Sequence, residues 1–340
     1  MNIAILDDYQ DVVRHLACFE LLQGHDIKVF NNSAVGIGQL AIRLASFDVL
    51  VLNRERTALP RVLLKKLPKL KLIAQTGKVS GHIDVDAASE LGITIVEGIG
   101  DPTAPAELTW ALIMASSRKI TQYATNLQDG LWQTASTNPL NNGLGRILKH
   151  RTLGIWGYGK IGKIVAGYGK AFGMQVWIWG SDTARAEAQQ DGYQTAISKE
   201  IFFSQSDIIS LHLRLSDLSR GMITVDDLAL MKADALLVNT SRAELLQTGA
   251  LEIALKQGHP GFAAIDVFES EPVAMQNPLL HMENVLATPH LGYVEQTSYE
   301  LYFRAAFQHI LDFANGNSTH VLHPMTQAVE CHNLNIEGQT

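Results

Sequence analysis

The sequence has few cysteines, no block of like charges and no long apolar run, and each of these absences excludes a class of protein. Its two cysteines, Cys18 and Cys331, stand at opposite ends of 340 residues, which excludes a disulfide framework and a cysteine-built zinc cluster. We therefore predict a cytoplasmic protein without a metal site. The 27 basic and 34 acidic residues give a net charge of −7, so neither nucleic acid nor a membrane surface is an expected partner. No apolar run approaches the roughly 18 residues of a membrane span.

Apolar side chains make up 46% of the sequence, which together with its length predicts two domains. Short runs rich in Leu and β-branched residues alternate with helix-length segments, a pattern typical of buried parallel strands in an α/β fold. The predicted strands of the first half are Asn2–Leu6, Ile27–Phe30, Val49–Leu52, Leu70–Ala74 and Thr94–Val96. Those of the second half are Thr152–Trp156, Gln175–Trp179, Ile208–His212, Ala235–Asn239, Ala263–Val267 and Val285–Thr288.

Two longer helices and two polar segments complete the outline. Pro102 and Pro105 provide start signals for one helix over Ala104–Asn126, which is followed by a turn-rich stretch over Gly130–Arg151. A second helix is predicted over Glu295–Phe313, and a polar tail follows it to residue 340.

The segment that follows the predicted strand Thr152–Trp156 has the pattern G-x-G-x-x-G. Its residues are Gly157, Tyr158, Gly159, Lys160, Ile161 and Gly162, and a helical run follows them. The first glycine permits a tight turn, the second lets a pyrophosphate approach the backbone, and the third allows close helix packing. The N–H groups at the helix start can bind the anion. A strand, this motif and a helix in succession predict a dinucleotide site.

The residues after the next strand predict which dinucleotide binds. Gly180 stands where a carboxylate normally bonds the adenosine ribose, which removes a repulsion against a 2′-phosphate. Ser181 and Arg185 are able to bond such a phosphate, whereas Asp182 keeps a negative charge nearby. We expect NAD as the cofactor, and NADP stays open.

Polar side chains follow several later strands, where the carboxyl ends of a parallel sheet meet in one crevice. Arg242 follows one strand, Glu271 lies beyond the next, and His290 comes after the last. Reduction of a 2-keto acid requires a proton donor for the carbonyl oxygen, a cation to polarise it and an anchor for the carboxylate. Glu269 is expected to be only a solvated neighbour of Glu271.

Taken together, these motifs resemble the D-isomer-specific 2-hydroxyacid dehydrogenase family. The resemblance extends from Leu70-Lys71-Leu72-Ile73 through the glycine motif to Pro289-His290-Leu291-Gly292. It implies that Arg242 binds the carboxylate and carbonyl of the substrate, that His290 is the acid–base and that Glu271 pairs with it. It also implies cofactor contacts from Thr240, Asp266 and His212, although packing is an equal alternative for His212.

The resemblance further implies a substrate loop in the first half of the chain. Lys78, Val79 and Ser80 occupy the loop whose N–H groups receive the substrate carboxylate, although Val79 stands where Gly is commoner. Arg54 and Arg56 resemble a segment that approaches a substrate phosphate, and the alternative is a solvated turn held by Glu55.

The expected architecture is therefore α/β, with two Rossmann-like domains, parallel sheets and an interdomain active-site cleft. Residues 1–105 with 293–340 form the predicted substrate-binding domain, and residues 106–292 form the predicted NAD(P)-binding domain. The expected activity is hydride transfer between a nicotinamide and a small D-2-hydroxy or 2-keto acid, and a homodimer is expected. Two alternatives remain open: D-3-phosphoglycerate dehydrogenase proper and a nicotinamide-sensing, co-repressor-like binding protein.

Overall fold

The computed structural model of the chain describes residues 1–34, 36–139, 141–317 and 321–322. Its strands are β1 (Asn2–Ile5), β2 (Asp26–Val29), β3 (Val49–Leu52), β4 (Leu72–Gln75), β5 (Thr94–Val96), β6 (Thr152–Trp156), β7 (Gln175–Trp179), β8 (Gln194–Thr195), β9 (Ile208–Leu211), β10 (Leu236–Asn239), β11 (Phe262–Ile265) and β12 (Val285–Ala287). Its α-helices are α1 (Ile37–Leu44), α2 (Arg61–Leu64), α3 (Val85–Glu90), α4 (Thr103–Arg118), α5 (Ile120–Gln128), α6 (Lys160–Ala171), α7 (Asp182–Gln190), α8 (Lys199–Gln205), α9 (Val225–Ala229), α10 (Ala250–Gln257) and α11 (Gln296–Ala314). Short 3₁₀ helices lie at Val13–His15, Ala17–Leu22, Ala243–Leu245 and Pro278–His281.

The chain divides into two compact units. The first comprises Met1–Asp101 and the chain from Gln296 onward, and the second comprises Pro102–Glu295. Most of the predicted polar tail, with Cys331, lies outside the described residues. Among the residues that are described, no helix combines the length and apolar character that crossing a membrane would require.

The first unit contains a parallel sheet with the strand order β2-β1-β3-β4-β5. Its strands are buried because apolar residues pack on both faces, with Leu50, Leu63 and Ile73 among the core residues. Helix α11 contributes the buried rings of Phe303 and Phe307 to the same unit. The order reverses between β1 and β3, so the loops after these strands diverge and leave a crevice at their carboxyl ends.

The second unit contains a seven-stranded parallel sheet with the order β12-β11-β10-β9-β6-β7-β8. Leu237 of β10 belongs to one core cluster, whereas Leu236 and Val238 belong to another, because successive side chains point to opposite faces. The strand order reverses between β6 and β9, which is the dinucleotide-binding switch point of a Rossmann sheet. The predicted α/β class with two parallel sheets is confirmed.

The helix predicted over Ala104–Asn126 is wrong as a single element, because Lys119 separates α4 from α5. Lys119 has a left-handed backbone with φ 52° and ψ 38°, which ends α4. Its ammonium group donates a hydrogen bond of 2.9 Å to the carbonyl of Asn141. The turn-rich segment thus contacts Lys119, the residue between the two helices. Apolar periodicity in the sequence does not predict that contact.

Candidate active site

The glycine motif forms a tight turn between β6 and α6. Gly157 has φ +103°, and a Cβ added there would lie 2.7 Å from the carbonyl oxygen of His212, which follows β9. A Cβ on Gly162 would collide with the carbonyl oxygen of Gly157. Both glycines are therefore required by backbone contacts within the protein, at the point where the sheet order reverses.

Gly159 differs from these two glycines because its missing side chain leaves open space. No atom lies within 4 Å of a Cβ built at Gly159, and no side chain caps the N-terminus of α6, which begins at Lys160. The first N–H groups of a helix lack partners within the helix and attract an anion. The open space and the uncapped helix end fit a dinucleotide pyrophosphate.

The remaining residues of the motif shape this turn. The Tyr158 side chain is buried, and its hydroxyl donates a 2.7 Å hydrogen bond to the Asp191 carboxylate. Ile161 lies at the second position of α6 and packs partly against the core. The side chain of Tyr158 therefore stabilises the fold. The groups of the motif that remain for a ligand are those of its backbone.

The residues after β7 are arranged around the start of α7. The Ser181 hydroxyl caps the helix by accepting a hydrogen bond of 3.3 Å from the Ala184 amide. Asp182 forms an ion pair with Arg185, whose guanidinium carbon lies 4.8 Å from the centre of the Trp179 ring. Gly180 contributes no side chain here, so Asp182 supplies the negative charge at this strand end.

Two further predicted cofactor residues make contacts inside the second unit. Burial lowers the pKa of His212 to about 4, so its imidazole is neutral at neutral pH and lies 2.9 Å from the Ser210 hydroxyl. The Thr240 hydroxyl lies 2.7 Å from that of Thr109 on α4. The hydrogen bond from Thr240 to α4 fixes the loop that precedes Arg242.

The predicted acid–base residues form a close pair. His290 Nδ1 and Glu271 Oε2 are 2.6 Å apart, and the two side chains are 24% and 31% exposed. Burial raises the pKa of Glu271, but the hydrogen bond and charge of His290, the Phe268 amide and the Arg242 charge outweigh it and leave that pKa below its usual range. Glu271 is therefore ionised at neutral pH, and its carboxylate accepts the hydrogen bond from His290 Nδ1.

Arg242 lies directly after the loop that follows β10. Its backbone is extended, and its carbonyl accepts a 2.8 Å hydrogen bond from the side-chain amide of Asn239. Its Nη1 donates a 2.7 Å hydrogen bond to the Ser241 carbonyl. These contacts fix the direction in which the guanidinium projects. Because the Arg242 charge acts on Glu271, the three predicted catalytic residues lie in one charged cluster of the second unit.

Asp266 holds the segment that carries His290. Its carboxylate is fully buried and accepts hydrogen bonds from the Thr288 hydroxyl at 2.6 Å and from the amides of Leu291 at 2.7 Å and Gly292 at 2.9 Å. His290 itself has φ +54°, a conformation that costs free energy for a residue with a side chain. The bonds from Asp266 to the flanking residues stabilise this conformation and thereby aim the imidazole.

The predicted substrate loop lies in the first unit, after β4. The Val79 side chain is buried, whereas Lys78 and Ser80 are exposed. Glu97, which follows β5, accepts a 2.6 Å hydrogen bond from the Val79 amide and pairs with the Lys78 ammonium at 2.8 Å. Glu97 was not predicted, because no local pattern shows that a residue after β5 bonds the loop after β4.

The two predicted arginines of the first unit lie beside this loop and the N-terminal strand. Arg54 is in the left-handed region at φ +60°, and its guanidinium lies so close to Gly77 that a Cβ there would collide with it. Arg56 donates a 3.2 Å hydrogen bond to the Asp7 carbonyl and lies 4.6 Å from the Tyr9 ring centre. Arg54 is thus in contact with the predicted substrate loop, whereas Arg56 packs on the loop after β1.

Known proteins resemble this chain over most of its length. A model of the D-isomer specific 2-hydroxyacid dehydrogenase NAD binding domain matches residues 110–292. Glyoxylate reductase from Aeropyrum pernix is 38% identical over 257 residues, which cover 75% of this chain and 76% of that protein. D-3-phosphoglycerate dehydrogenase from Methanocaldococcus jannaschii is 36% identical over 75% of this chain but only 47% of its own length.

A solved structure extends the resemblance to the whole fold. It is a protein from Ralstonia solanacearum provisionally named a D-3-phosphoglycerate dehydrogenase oxidoreductase, 55% identical, with a TM-score of 0.93 over 95% of this chain and 97% of the other. The second unit is thus that of an NAD-dependent oxidoreductase. The chain belongs to the D-isomer-specific 2-hydroxyacid dehydrogenase family, whose enzymes interconvert D-2-hydroxy acids and 2-keto acids.

Proposed function

We propose that the chain reduces a small 2-keto acid, with His290 as the acid–base, Glu271 as its partner and Arg242 as the cation that holds the substrate. The observation that carries this proposal is the 2.6 Å contact between His290 and an ionised Glu271, with the Arg242 charge acting on the same carboxylate. A cation and a proton donor are the two groups that a developing alkoxide requires.

When bound, NAD supplies or accepts the hydride. The residues of the glycine motif hold its pyrophosphate through the open space at Gly159 and the first amides of α6. His290 delivers a proton from its imidazole to the carbonyl oxygen of the keto acid, and Glu271 stabilises the charged imidazole before that transfer. Arg242 forms two hydrogen bonds with the substrate carboxylate, since a guanidinium matches that group and keeps its charge.

Each of the two units has its own task in this proposal. The second unit, Pro102–Glu295, is the NAD-binding domain, and the first unit is the substrate-binding domain. The amides of Lys78, Val79 and Ser80 receive the substrate carboxylate, while Thr240 and Asp266 fix the loops that carry Arg242 and His290. The backbone carbonyl of His212 lies so close to the glycine turn that Gly157 has no room for a side chain.

Turnover of simple keto acids tests the activity directly. Purified protein with NADH is expected to consume glyoxylate or hydroxypyruvate, followed as loss of nicotinamide absorbance, and pyruvate and phosphohydroxypyruvate complete the series. Arg242→Ala is expected to raise the KM for each acid that is turned over, because the ion pair with the substrate carboxylate is lost. If none of the four acids is reduced, the proposed activity is wrong.

A phosphorylated substrate is the second candidate, and Arg54 is the observation that favours it. Its guanidinium lies against Gly77 of the substrate loop, where a second anionic group of a substrate would find a cation. In that case kcat/KM for phosphohydroxypyruvate would exceed the value for hydroxypyruvate, and Arg54→Met would remove the difference.

NAD is the proposed preference over NADP. Asp182 places a carboxylate, 94% exposed, at the strand end where the adenosine ribose binds in this fold. A 2′-phosphate would meet that charge, and Arg185 is engaged with both Asp182 and Trp179. Arg185 nevertheless lies at the same strand end and is able to bond a 2′-phosphate. Binding of NADP would therefore be weaker than that of NAD and still measurable.

A homodimer is the proposed assembly, and its support is a set of exposed apolar side chains on α5 and in the segment after it. Leu127, Trp132, Leu144 and Ile147 are 54%, 76%, 88% and 69% exposed. Exposure of several large apolar side chains within one segment of the chain favours a protein interface there. The proposed location is the cytosol, consistent with Cys18, whose thiol is buried and free.

Light scattering during size-exclusion chromatography is expected to give about twice the chain mass of 37.3 kDa. Leu144→Ser is expected to shift the protein toward monomer, because it places a hydroxyl in the apolar interface. Ile197→Ser is the matched control, since Ile197 is 87% exposed on another part of the second unit. A monomer at every concentration of the unaltered protein would contradict the proposal.

A further inference from the structure

The loop that receives the substrate carboxylate in the proposed function already has a carboxylate bound to it. Glu97 Oε1 accepts the Val79 amide at 2.6 Å, and Glu97 Oε2 pairs with the Lys78 ammonium at 2.8 Å. The Glu97 side chain is 17% exposed, whereas that of Lys78 is 72% exposed. The negative charge is thus partly buried on the loop, and its positive partner is in solvent.

The backbone explains why Glu97 is held there. Strands β4 and β5 pair in parallel, with Ala74 beside Val96, so the residues that follow the two strands are neighbours. The Gly98 amide donates a 3.0 Å hydrogen bond to the Gly77 carbonyl, and a Cβ at Gly98 would lie 2.6 Å from the carbonyl carbon of Thr76. A glycine after Glu97 therefore brings the two loops into contact, and the Glu97 side chain reaches the Val79 amide.

We propose that Glu97 and Lys78 form a specificity element of the substrate loop, in which the Glu97 carboxylate competes with the substrate carboxylate for the Val79 amide. An N–H group has one hydrogen to donate, so a substrate carboxylate must share or displace that bond. The Glu97 charge also repels an incoming anion, and Lys78 offsets part of this repulsion. The inference rests on the proposed function, because it takes the Val79 amide to be a substrate donor.

The pair discriminates most strongly among substrates of different charge. Repulsion by a fixed carboxylate grows with the charge of the approaching molecule, so a doubly anionic acid loses more than glyoxylate does. Glu97 thereby favours small, singly charged 2-keto acids over acids with a second anionic group.

Glu97→Gln tests this element, because an amide oxygen still accepts the Val79 hydrogen bond while the charge is lost. The KM for glyoxylate is expected to fall about fivefold, and that for phosphohydroxypyruvate about tenfold or more, with the change in KM rather than in kcat. Oxamate, an unreactive analogue of these acids, is expected to bind the NADH complex more tightly in calorimetry. The differences should shrink in 1 M salt, where charges are screened over about 3 Å.

Two further variants separate charge from structure. Lys78→Met is expected to raise both KM values, since it leaves the Glu97 charge without its cation, and the rise should be larger for the doubly anionic acid. Glu90→Gln removes an equal charge from the exposed Arg61–Glu90 pair of the same unit and is the control that should change neither KM nor oxamate affinity.

The outcomes are distinct. If Glu97 serves only to brace the loop, Glu97→Gln raises KM or leaves it unchanged, and this result would overturn the assignment while turnover of keto acids upholds the proposed function. If no keto acid is turned over and oxamate does not bind, the proposed function fails and the role of Glu97 fails with it.

Discussion

His290→Ala is expected to lower kcat for keto-acid reduction by about 10²- to 10⁴-fold, the usual contribution of a positioned general acid. The imidazole is the proton donor of the proposed reaction, and its Nδ1 lies 2.6 Å from Glu271 Oε2. Binding of NADH should change little, since the glycine motif is remote in sequence and holds the cofactor by backbone groups. Steady-state rates from nicotinamide absorbance, with cofactor affinity from fluorescence titration, measure both quantities.

Glu271 and Glu269 provide a matched pair of carboxylates for this prediction. Glu271→Gln is expected to reduce kcat and to move the rate–pH profile toward lower pH, because the charge that favours the imidazolium is lost. Glu269→Gln should behave like the unaltered enzyme, because the carboxylate that contacts His290 is that of Glu271. Equal losses from both substitutions, or a fully active His290→Ala enzyme, would show that this pair is not the acid–base.

Gly162→Ala is expected to damage both stability and cofactor binding. The added methyl group would collide with the Gly157 carbonyl oxygen, which belongs to the backbone and moves only if the turn moves. Overpacking of this kind costs about 1–3 kcal/mol. A displaced turn also separates the α6 amides from the pyrophosphate, so the NADH dissociation constant should rise by about tenfold or more, the factor that 1.4 kcal/mol represents.

Two other glycines serve as controls, because each lacks any atom within 4 Å of an added Cβ. Gly167→Ala, inside α6, should raise stability by about 0.5–1 kcal/mol, since alanine is the better helix former, and should leave NADH binding intact. Gly159→Ala should unfold at an unchanged temperature yet bind NADH weakly. Thermal unfolding and NADH fluorescence separate these cases. A Gly162→Ala protein that matches Gly167→Ala in stability and in NADH affinity would contradict the assignment of the glycine motif as the pyrophosphate site.

Local patterns in the sequence carry much of the fold and part of the candidate site. The sheet strands are predicted nearly to the residue where apolar runs are short and bounded, as at β3 and β6. The glycine motif is equally clear in the sequence, because Gly157 and Gly162 lie against backbone atoms that leave no room for a side chain. The two-residue strand β8 was not predicted, since Gln194 and Thr195 carry no apolar signal.

The parts that were not predicted depend on pairing between distant segments. Lys119 breaks a helix because of a carbonyl 22 residues further on, and Thr240 meets Thr109 across 131 residues. Glu97 reaches Val79 only because β4 and β5 are neighbours in the sheet. The roles assigned to the site residues and the bounds of the predicted domains stay predictions until the variants are made.

Helix α11 has a consequence for how the chain folds as it is synthesised. The first unit contains β1–β5 from the start of the chain, yet Phe303 and Phe307 of α11 are fully buried in it, and Phe307 packs edge-on against Phe19. A ribosome releases these rings only after the whole second unit has emerged. The earliest strands therefore wait with an open apolar face while a domain encoded later folds first, so assistance from a chaperone would matter most for residues 1–101.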